Sequence, residues 1–231
     1  MGTLLLVRHA QASFGLGNYD QLSTVGQHQA TLTARALKEQ GVRPLRVVTG
    51  LHARHRQTAS PIVELCGGAG LVQDASSDWN ELDAADLIGA IEPHLRHPLA
   101  LRAAMLASGN PARAFTDHYD RALQTWTSDP AGVTYALTWP VFQKRVMAAL
   151  QQLADRTPSG AHTVVVTSAG PITAVALALL GAPPSTFVRT HRVMVNAGIT
   201  RIASGSRGLH LASLNEQGHL LAAGREWLTG R

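Results

Sequence analysis

The chain has 231 residues, of which 45% are hydrophobic and 15% are charged, and its formal net charge is +5. This is ordinary globular composition, and the length suffices for a large hydrophobic core. The single cysteine, Cys66, excludes an internal disulfide framework and a four-cysteine zinc site. No apolar segment is long enough to span a bilayer, and no basic, cleavable leader is recognisable. These features predict a cytoplasmic protein without membrane contact.

The positive charge is almost entirely arginine, since Lys38 and Lys144 are the only lysines. The arginines are scattered, without the basic runs and interleaved aromatic residues that are typical of nucleic-acid-binding proteins. We therefore expect no nucleic-acid partner. Arginine also predominates where proteins bind phosphate or carboxylate with two parallel hydrogen bonds, so an anionic small molecule is the expected partner. Nothing in the sequence specifies an oligomeric state.

The predicted elements alternate between strands and helices along the first part of the chain. Six segments have the composition of strands: 3–7, 45–49, 71–74, 163–167, 193–202 and 209–214. Helices are predicted over 23–41 and 53–67, with Ser23 as an N-cap and Gly41 and Gly67 as C-terminal stops. Strands that alternate with helices predict a mostly parallel sheet covered on both faces.

The region between about residues 84 and 156 is predicted to be wholly helical. Its helices are expected to be interrupted at three pairs that contain proline: Asn110-Pro111, Asp129-Pro130 and Trp139-Pro140. We interpret about 84–140 as an insertion over one end of the sheet, followed by a helix that returns the chain to the sheet. The whole chain, 1–231, is thus predicted to form a single domain with a helical cap.

Polar residues follow the predicted strands where a parallel sheet binds its ligands. Arg8 and His9 end the first strand, Arg54 follows the second, Glu81 follows the third and Ser168 follows the fourth. In sheets of this kind, ligands bind beyond the carboxyl ends of the strands. We therefore expect these side chains to converge on one crevice.

The converging side chains suit a phosphoryl group. Two guanidinium groups can each give two charge-assisted hydrogen bonds to phosphate oxygens. The nearby positive charge favours the neutral form of His9, whose ring nitrogen can then attack phosphorus. The carboxyl group of Glu81 can protonate the leaving oxygen and then activate water. The residues therefore predict a phosphomonoesterase that works through a phosphohistidine and needs no metal.

Three ordered motifs resemble those of the histidine phosphatase superfamily, the phosphoglycerate mutase-like proteins. "LVRHAQ" (6–11) is similar to the Arg-His-Gly signature, with Ala10 in place of the glycine. "TGLHARHRQTA" (49–59) is similar to the motif of the second arginine, and "NEL" (80–82) is similar to the acidic motif. "YDQLSTVGQHQA" (19–30) and the last strands are also similar, so the resemblance covers nearly the whole chain except the insertion.

The resemblance implies a three-layer α/β sandwich with a mostly parallel central sheet, helices on both faces and a helical cap. It implies that His9 is the nucleophile, that Arg8 and Arg54 hold the phosphoryl group and that Glu81 is the proton donor. Ser13, in the loop after the nucleophile, is a further candidate phosphate ligand, for which stabilisation of a turn is the alternative. No cofactor and no metal are expected.

One position departs from the family pattern. The family places a second histidine after the penultimate core strand, and the matching stretch here is Ser168-Ala169-Gly170. A serine can give one hydrogen bond to the phosphoryl group but brings no charge. We therefore expect a slow or narrowly specific phosphatase, and we expect Ser168→His to raise its activity.

Other functions fit the sequence less well. "HARH" (52–55) and "HLRH" (94–97) contain paired histidines, but neither pair has an evident third metal ligand. Ser168 follows a strand like the nucleophile of a serine hydrolase, but Val166 stands where a small residue is needed. Two alternatives stay open: phosphoryl transfer like that of phosphoglycerate mutase, and non-catalytic binding of a phosphorylated ligand.

Overall fold

The central sheet places the ends of its parallel strands at one edge. The structure, a computed structural model, describes residues 1–13, 20–128 and 133–230. Within these residues the sheet has the order β3-β2-β4-β1-β5-β6. The strands are β1 (Gly2–Arg8), β2 (Pro44–Thr49), β3 (Val72–Ala75), β4 (His162–Thr167), β5 (Ile199–Gly205) and β6 (Gly208–Glu216). The first four run parallel, whereas β5 pairs antiparallel with β1 and β6 antiparallel with β5. The predicted mostly parallel sheet is confirmed.

Helices cover both faces of this sheet. The helices of the described residues are α1 (Thr24–Glu39), α2 (Ala53–Cys66), α3 (Ala84–Ile91), α4 (Pro98–Ala107), α5 (Pro111–Ser128), α6 (Trp139–Asp155), α7 (Ala169–Leu180), α8 (Phe187–Val193) and α9 (Gly218–Ala223). Leu5 and Val7 of β1 pack with α1 and α2, whereas Leu4 and Leu6 pack with α6 and α7. Because successive side chains of a strand point to opposite faces, the aliphatic run of β1 fills both cores. The three-layer α/β sandwich is confirmed.

The helical region lies between β3 and β4, as the sequence predicts. Of the expected interruptions, one separates α4 from α5 before Pro111 and one lies at the start of α6, while Asp129-Pro130 lies outside the described residues. Trp126 of α5 packs its ring at 5.3 Å from that of Trp139 and at 5.9 Å from that of Phe187, measured between centroids. These buried aromatic contacts join α5 to α6 and α8. The single-domain organisation stays a prediction.

Two local details show how the elements end. Ser23 caps α1, since its Oγ accepts a hydrogen bond from the Gly26 amide at 3.0 Å. The strand predicted over 193–202 begins only at Ile199, because the chain before it forms the end of α8 and a turn in which Ala197 has a φ of 60°. In the ranges that the structure describes, no helix is both long and apolar enough to cross a membrane.

Candidate active site

The backbone around His9 is fixed by hydrogen bonds from three directions. Its amide donates to the Thr167 carbonyl of the neighbouring β4 at 2.8 Å. Its carbonyl accepts from the Asn196 side chain at 3.2 Å, in the turn before β5. The next amide, that of Ala10, donates to Thr58 Oγ1 of α2 at 3.0 Å. The chain at His9 and Ala10, directly after β1, is therefore held by β4, by α2 and by the turn before β5.

The ring of His9 is held in one tautomer. Its Nδ1 lies 2.8 Å from the Ala10 carbonyl oxygen, and because a carbonyl only accepts, Nδ1 carries the proton. The lone pair is then on Nε2. Burial lowers the pKa of His9 well below the ordinary value of 6.5, and the charges of Arg8 and Arg54 lower it further. His9 is thus neutral at neutral pH, with a nucleophilic nitrogen available.

A cavity of about 420 Å³ lies at this edge of the sheet. The predicted residues Arg8, His9, Arg54 and Glu81 all line it. The structure therefore brings together the four side chains for which catalytic roles are predicted. Their roles stay predictions. Ser13 and Ser168 are not among the described residues that line this cavity.

The two arginines approach the cavity from different elements. Arg8 ends β1 and is 7% exposed, and its Nη1 donates to the Met194 carbonyl. Arg54, in the first turn of α2, is 6% exposed, and its Nη1 lies 2.9 Å from Asp20 Oδ1. Asp20 Oδ2 also accepts from the Ala53 amide at 2.8 Å. Asp20 therefore caps α2 and orients Arg54 with the same carboxylate.

The neighbouring arginine of α2 does not compete for the cavity. Arg56 is exposed, and its guanidinium donates to the carbonyl of Leu51, just before its own helix. This arrangement agrees with the choice of Arg54 as the cavity arginine.

Glu81 is held between its own loop and the start of α7. Its Oε1 accepts from the Leu82 amide at 3.0 Å, and its Oε2 accepts from the Gly170 amide at 3.3 Å. The Thr167 hydroxyl, which donates to the Trp79 carbonyl at 2.6 Å, ties the same loop to the end of β4. A Cβ at position 170 would lie 2.2 Å from Glu81 Oε1. The glycine of the Ser168-Ala169-Gly170 stretch thus makes room for the carboxylate.

Ser168 contacts a histidine that the sequence analysis did not assign to the site. Its Oγ lies 2.7 Å from Nε2 of His55, and both side chains are completely buried. The ring of His55 stacks on that of His9, with 5.5 Å between centroids and 30° between planes. Burial lowers the pKa of His55 well below 6.5, with His9 and Arg54 adding to the effect. His55, the second histidine of "HARH", is therefore held by a serine and by the ring of His9, which is not the arrangement of a metal ligand.

The far wall of the cavity is partly aromatic. Phe115 and Tyr119 of α5 stack with 5.7 Å between their ring centroids, and the ring of Tyr119 lies 6.0 Å from that of His191 in α8. All three line the cavity, together with His52. Burial lowers the pKa of His52, and Arg54 lowers it further, while Asp20 and Glu81 oppose the shift. Phe115 and Tyr119 belong to the helical region that the sequence predicts over this end of the sheet.

The remaining candidates have local structural contacts. The Ser13 amide donates to the Gln21 carbonyl at 2.7 Å, while Tyr19 of the "YDQLSTVGQHQA" segment lies outside the described residues. His97 of "HLRH" caps α4, since its Nδ1 accepts from the Leu99 amide at 3.3 Å. In the described ranges, no group of three or more His, Cys, Asp or Glu side chains is placed to hold a metal ion.

Comparison with known sequences identifies relatives of part of the chain. A sequence profile described as "Histidine phosphatase superfamily (branch 1)" matches residues 106–217. A 2,3-bisphosphoglycerate-dependent phosphoglycerate mutase of Chelativorans sp. (strain BNC1) is 35% identical over 94 residues. That alignment covers 38% of this chain and 46% of the mutase, so the chain matches less than half of the length of this relative.

Comparison with solved structures covers nearly the whole chain. A phosphoserine phosphatase from Entamoeba histolytica, solved as a mutant with phosphoserine, is 19% identical with a TM-score of 0.65, and the match covers 95% of this chain and 100% of that one. A mycobacterial glucosyl-3-phosphoglycerate phosphatase, solved with VO3, is 22% identical with a TM-score of 0.60, and the match covers 93% and 99%. At such identities the likeness shows a shared fold.

Proposed function

The chain belongs to the histidine phosphatase superfamily, and from its site we propose that it hydrolyses a phosphomonoester through a phosphohistidine on His9. One observation carries this proposal. His9 keeps its proton on Nδ1, which leaves the Nε2 lone pair for attack, in a cavity that it shares with two buried arginines. A neutral imidazole between fixed cations is what nucleophilic attack on a bound dianion requires.

The reaction needs two displacements at phosphorus. In the first, Arg8 and Arg54 hold the phosphoryl oxygens while Nε2 of His9 forms a bond to phosphorus and the bond to the leaving oxygen breaks. Glu81 gives its proton to that oxygen, and the alcohol leaves. In the second, the Glu81 carboxylate takes a proton from water, and the resulting oxygen displaces His9 from phosphorus. Phosphate is released and both side chains return to their starting states.

The charge of the cavity favours hydrolysis of a monophosphate over mutase chemistry. Among the described lining residues, Arg8 and Arg54 carry the only guanidinium groups, and Glu81 and Asp83 contribute carboxyl groups. A bisphosphorylated sugar acid would place a second dianion beside these carboxyl groups or against the aromatic wall. Two of the similar structures are of proteins named as phosphatases, which supports the same reaction class.

The proposed setting follows from the same features. The substrate is a small phosphorylated molecule, because the cavity volume is about 420 Å³. Arg8 and Arg54 supply the positive charge at the phosphoryl group, so we propose that the reaction needs no metal ion. We also propose a cytoplasmic location, since the only cysteine is a buried free thiol.

A substrate panel tests the proposal. Phosphomonoesters of alcohols, phenols and sugar acids are incubated with the wild type and with His9→Ala, with and without a chelator. We expect release of phosphate by the wild type under both conditions and loss of activity in His9→Ala. Acid-labile, alkali-stable phosphate on His9 should accumulate after rapid quenching. Hydrolysis that survives in His9→Ala would refute the proposal, and phosphate binding without any hydrolysis would favour the non-catalytic alternative.

A further inference from the structure

The contact between His55 and Ser168 joins two segments that lie 113 residues apart in the sequence. Ser168 directly precedes α7, at the place where the superfamily pattern has a second histidine. His55 belongs to α2, one residue after the cavity arginine Arg54. Its ring stacks on the ring of His9. An imidazole is therefore present beside the nucleophile, although the loop after β4 does not provide it.

The hydrogen bond between the two side chains has a preferred direction. His55 Nδ1 is buried and has no hydrogen-bond partner among the described residues. A buried N–H without an acceptor is rarer in proteins than an acceptor without a donor. The proton therefore belongs on Nε2, which donates to Ser168 Oγ at 2.7 Å. This bond fixes the plane of the His55 ring.

The ring of His55 has little room to move. A Cβ added to Gly50 would lie 2.3 Å from His55 Nδ1, so the backbone of Gly50 closely approaches the ring. Ser168 holds the opposite nitrogen, and His9 covers one face. The space that a larger side chain at position 168 would need is already occupied by this imidazole.

We propose that His55, held by Ser168, is the second histidine of this site and positions the ring of His9 for attack on phosphorus. This inference rests on the proposed function of His9 as the nucleophile. His55 acts through His9 and is therefore a positioning residue, whereas the phosphoryl group is held by the two arginines. The serine at position 168 is then a fitted partner of His55. The contact reverses the expectation from the sequence, because Ser168→His now introduces a clash beside His9 and should lower activity.

The central test separates positioning of His9 from binding of phosphate. In His55→Ala the ring that covers His9 is removed, and misplacement of a reacting group by about 1 Å can lower a rate by about 100-fold. We expect a fall of about this size in the rate of phosphohistidine formation, measured in single turnovers with an aryl phosphate. The dissociation constant of inorganic phosphate should stay unchanged, because Arg8 and Arg54 remain in place.

A rescue variant separates positioning from acid–base chemistry. His55→Phe combined with Ser168→Ala keeps an aromatic ring against His9 and replaces both members of the buried hydrogen bond by apolar groups, an exchange that is nearly neutral when shape is kept. We expect this double variant to recover most of the rate lost in His55→Ala, to within about tenfold of the wild type. If it is as slow as His55→Ala, the ring does not act by positioning and the inference is overturned.

A matched histidine elsewhere in the chain provides the control. His118 Nδ1 lies 2.8 Å from Glu92 Oε1, and neither residue is among those that line the cavity. His118→Ala therefore removes a hydrogen-bonded histidine outside the cavity and should leave the phosphorylation rate of His9 unchanged. Equal losses in His118→Ala and His55→Ala would show that both are packing defects and would overturn the inference.

The remaining outcomes also decide between the two proposals. A wild type that forms phosphohistidine on His9, together with a fully active His55→Ala or a more active Ser168→His, would overturn the inference alone. A fall in phosphate affinity equal to the fall in rate in His55→Ala would also overturn it, since the residue would then support the anion site. Hydrolysis of phosphomonoesters by His9→Ala at the wild-type rate would instead refute the proposed function.

Discussion

Replacement of Gly170 by alanine tests whether Glu81 is the proton donor without touching Glu81 itself. Gly170 is the second residue of α7, and its amide donates to Glu81 Oε2 at 3.3 Å. A Cβ at this position would lie 2.2 Å from Oε1 of the same carboxyl group. The carboxyl group must therefore leave its place, because the Cβ is fixed to the helix and the end of the Glu81 side chain can rotate.

The size of the effect follows from the geometry. To reach an ordinary contact distance the carboxyl group moves by roughly 1 Å, and such a shift of a catalytic group costs about 100-fold in rate. This lies at the lower end of the range of about 100-fold to 10000-fold that a positioned general acid contributes. The free energy of unfolding should not fall, since alanine is favoured over glycine in a helix by about 0.5 to 1 kcal/mol.

The assay compares substrates that need different amounts of protonation. An alkyl phosphate has a poor leaving group and depends on the proton from Glu81, whereas a nitrophenyl phosphate leaves as a stable phenolate. We expect Gly170→Ala to lower kcat for the alkyl phosphate by about 100-fold and to affect the nitrophenyl phosphate much less. Gly218→Ala is the matched control, because Gly218 begins α9 and an added Cβ there meets nothing within 4 Å.

Two results would refute this reasoning. If the folded Gly170→Ala variant hydrolyses alkyl phosphates at the wild-type rate, Glu81 is not the group that protonates the leaving oxygen. If both substrates lose activity equally, the substitution has disturbed the phosphate clamp or the nucleophile, and the role assigned to Glu81 lacks support. Glu81→Gln, measured on the same pair of substrates, should reproduce the leaving-group dependence.

Three further predictions follow from the cavity. Arg54→Ala should lower kcat/KM by about 100-fold or more, as for loss of one donor to a developing anion, while Arg56→Ala, at an exposed position, should leave kcat/KM near the wild-type value. The reverse pattern would show that Arg56, and not Arg54, binds the phosphoryl group. Burial lowers the pKa of His9 and of His55 below 6.5, so the unfolded state takes up protons first as the pH falls. Tm should therefore decrease below pH 6.5, because the free energy of unfolding falls by at most about 1.4 kcal/mol per pH unit for each histidine. His55→Gln should flatten this slope in thermal melts, and an unchanged slope would contradict it. Phe115→Ala should raise KM for an aryl phosphate by about tenfold with little change in kcat, because Phe115 lines the cavity on its aromatic wall, where we expect it to contact the leaving group. An effect on kcat alone would contradict this expectation.

The sequence predicts best what the topology of a parallel sheet enforces. Arg8 pairs in register with Thr167, the last residue of β4, and Thr49 of β2 pairs with Val166, so these strands end at one edge. Residues that follow the strands therefore meet, whatever the exact helix lengths. The prediction of a strand over 193–202 is wrong in its first half. This part of the chain forms a turn, in which the Ala197 amide donates to the carbonyls of Arg8 and His9.

What the sequence does not predict are contacts decided by side-chain packing. The acidic motif selects Glu81 from the sequence, but the space that Gly170 leaves for its carboxyl group is visible only in the structure. The pairing of His55 with Ser168 depends on how α2 is seated against β4, and no local pattern encodes that distance. The adjacency of His55 to Arg54 is the one signal that points to the site, whereas the sequence analysis considered His55 only as one of a pair of metal ligands and rejected that metal site.

The contact between Asp20 and Arg54 explains how one arginine of α2 is selected for the cavity. Asp20 is fixed twice, by the Ala53 amide and by the guanidinium, so it holds the side chain of Arg54 in place before any substrate arrives. A guanidinium group has five N–H donors in a rigid fork, more than one carboxylate oxygen uses. An ordered, buried arginine loses little further conformational entropy when it binds a phosphoryl group. Arg56 lies two residues further along α2, where its side chain is exposed, and in the part of the chain that the structure describes its guanidinium contacts a backbone carbonyl and no carboxylate.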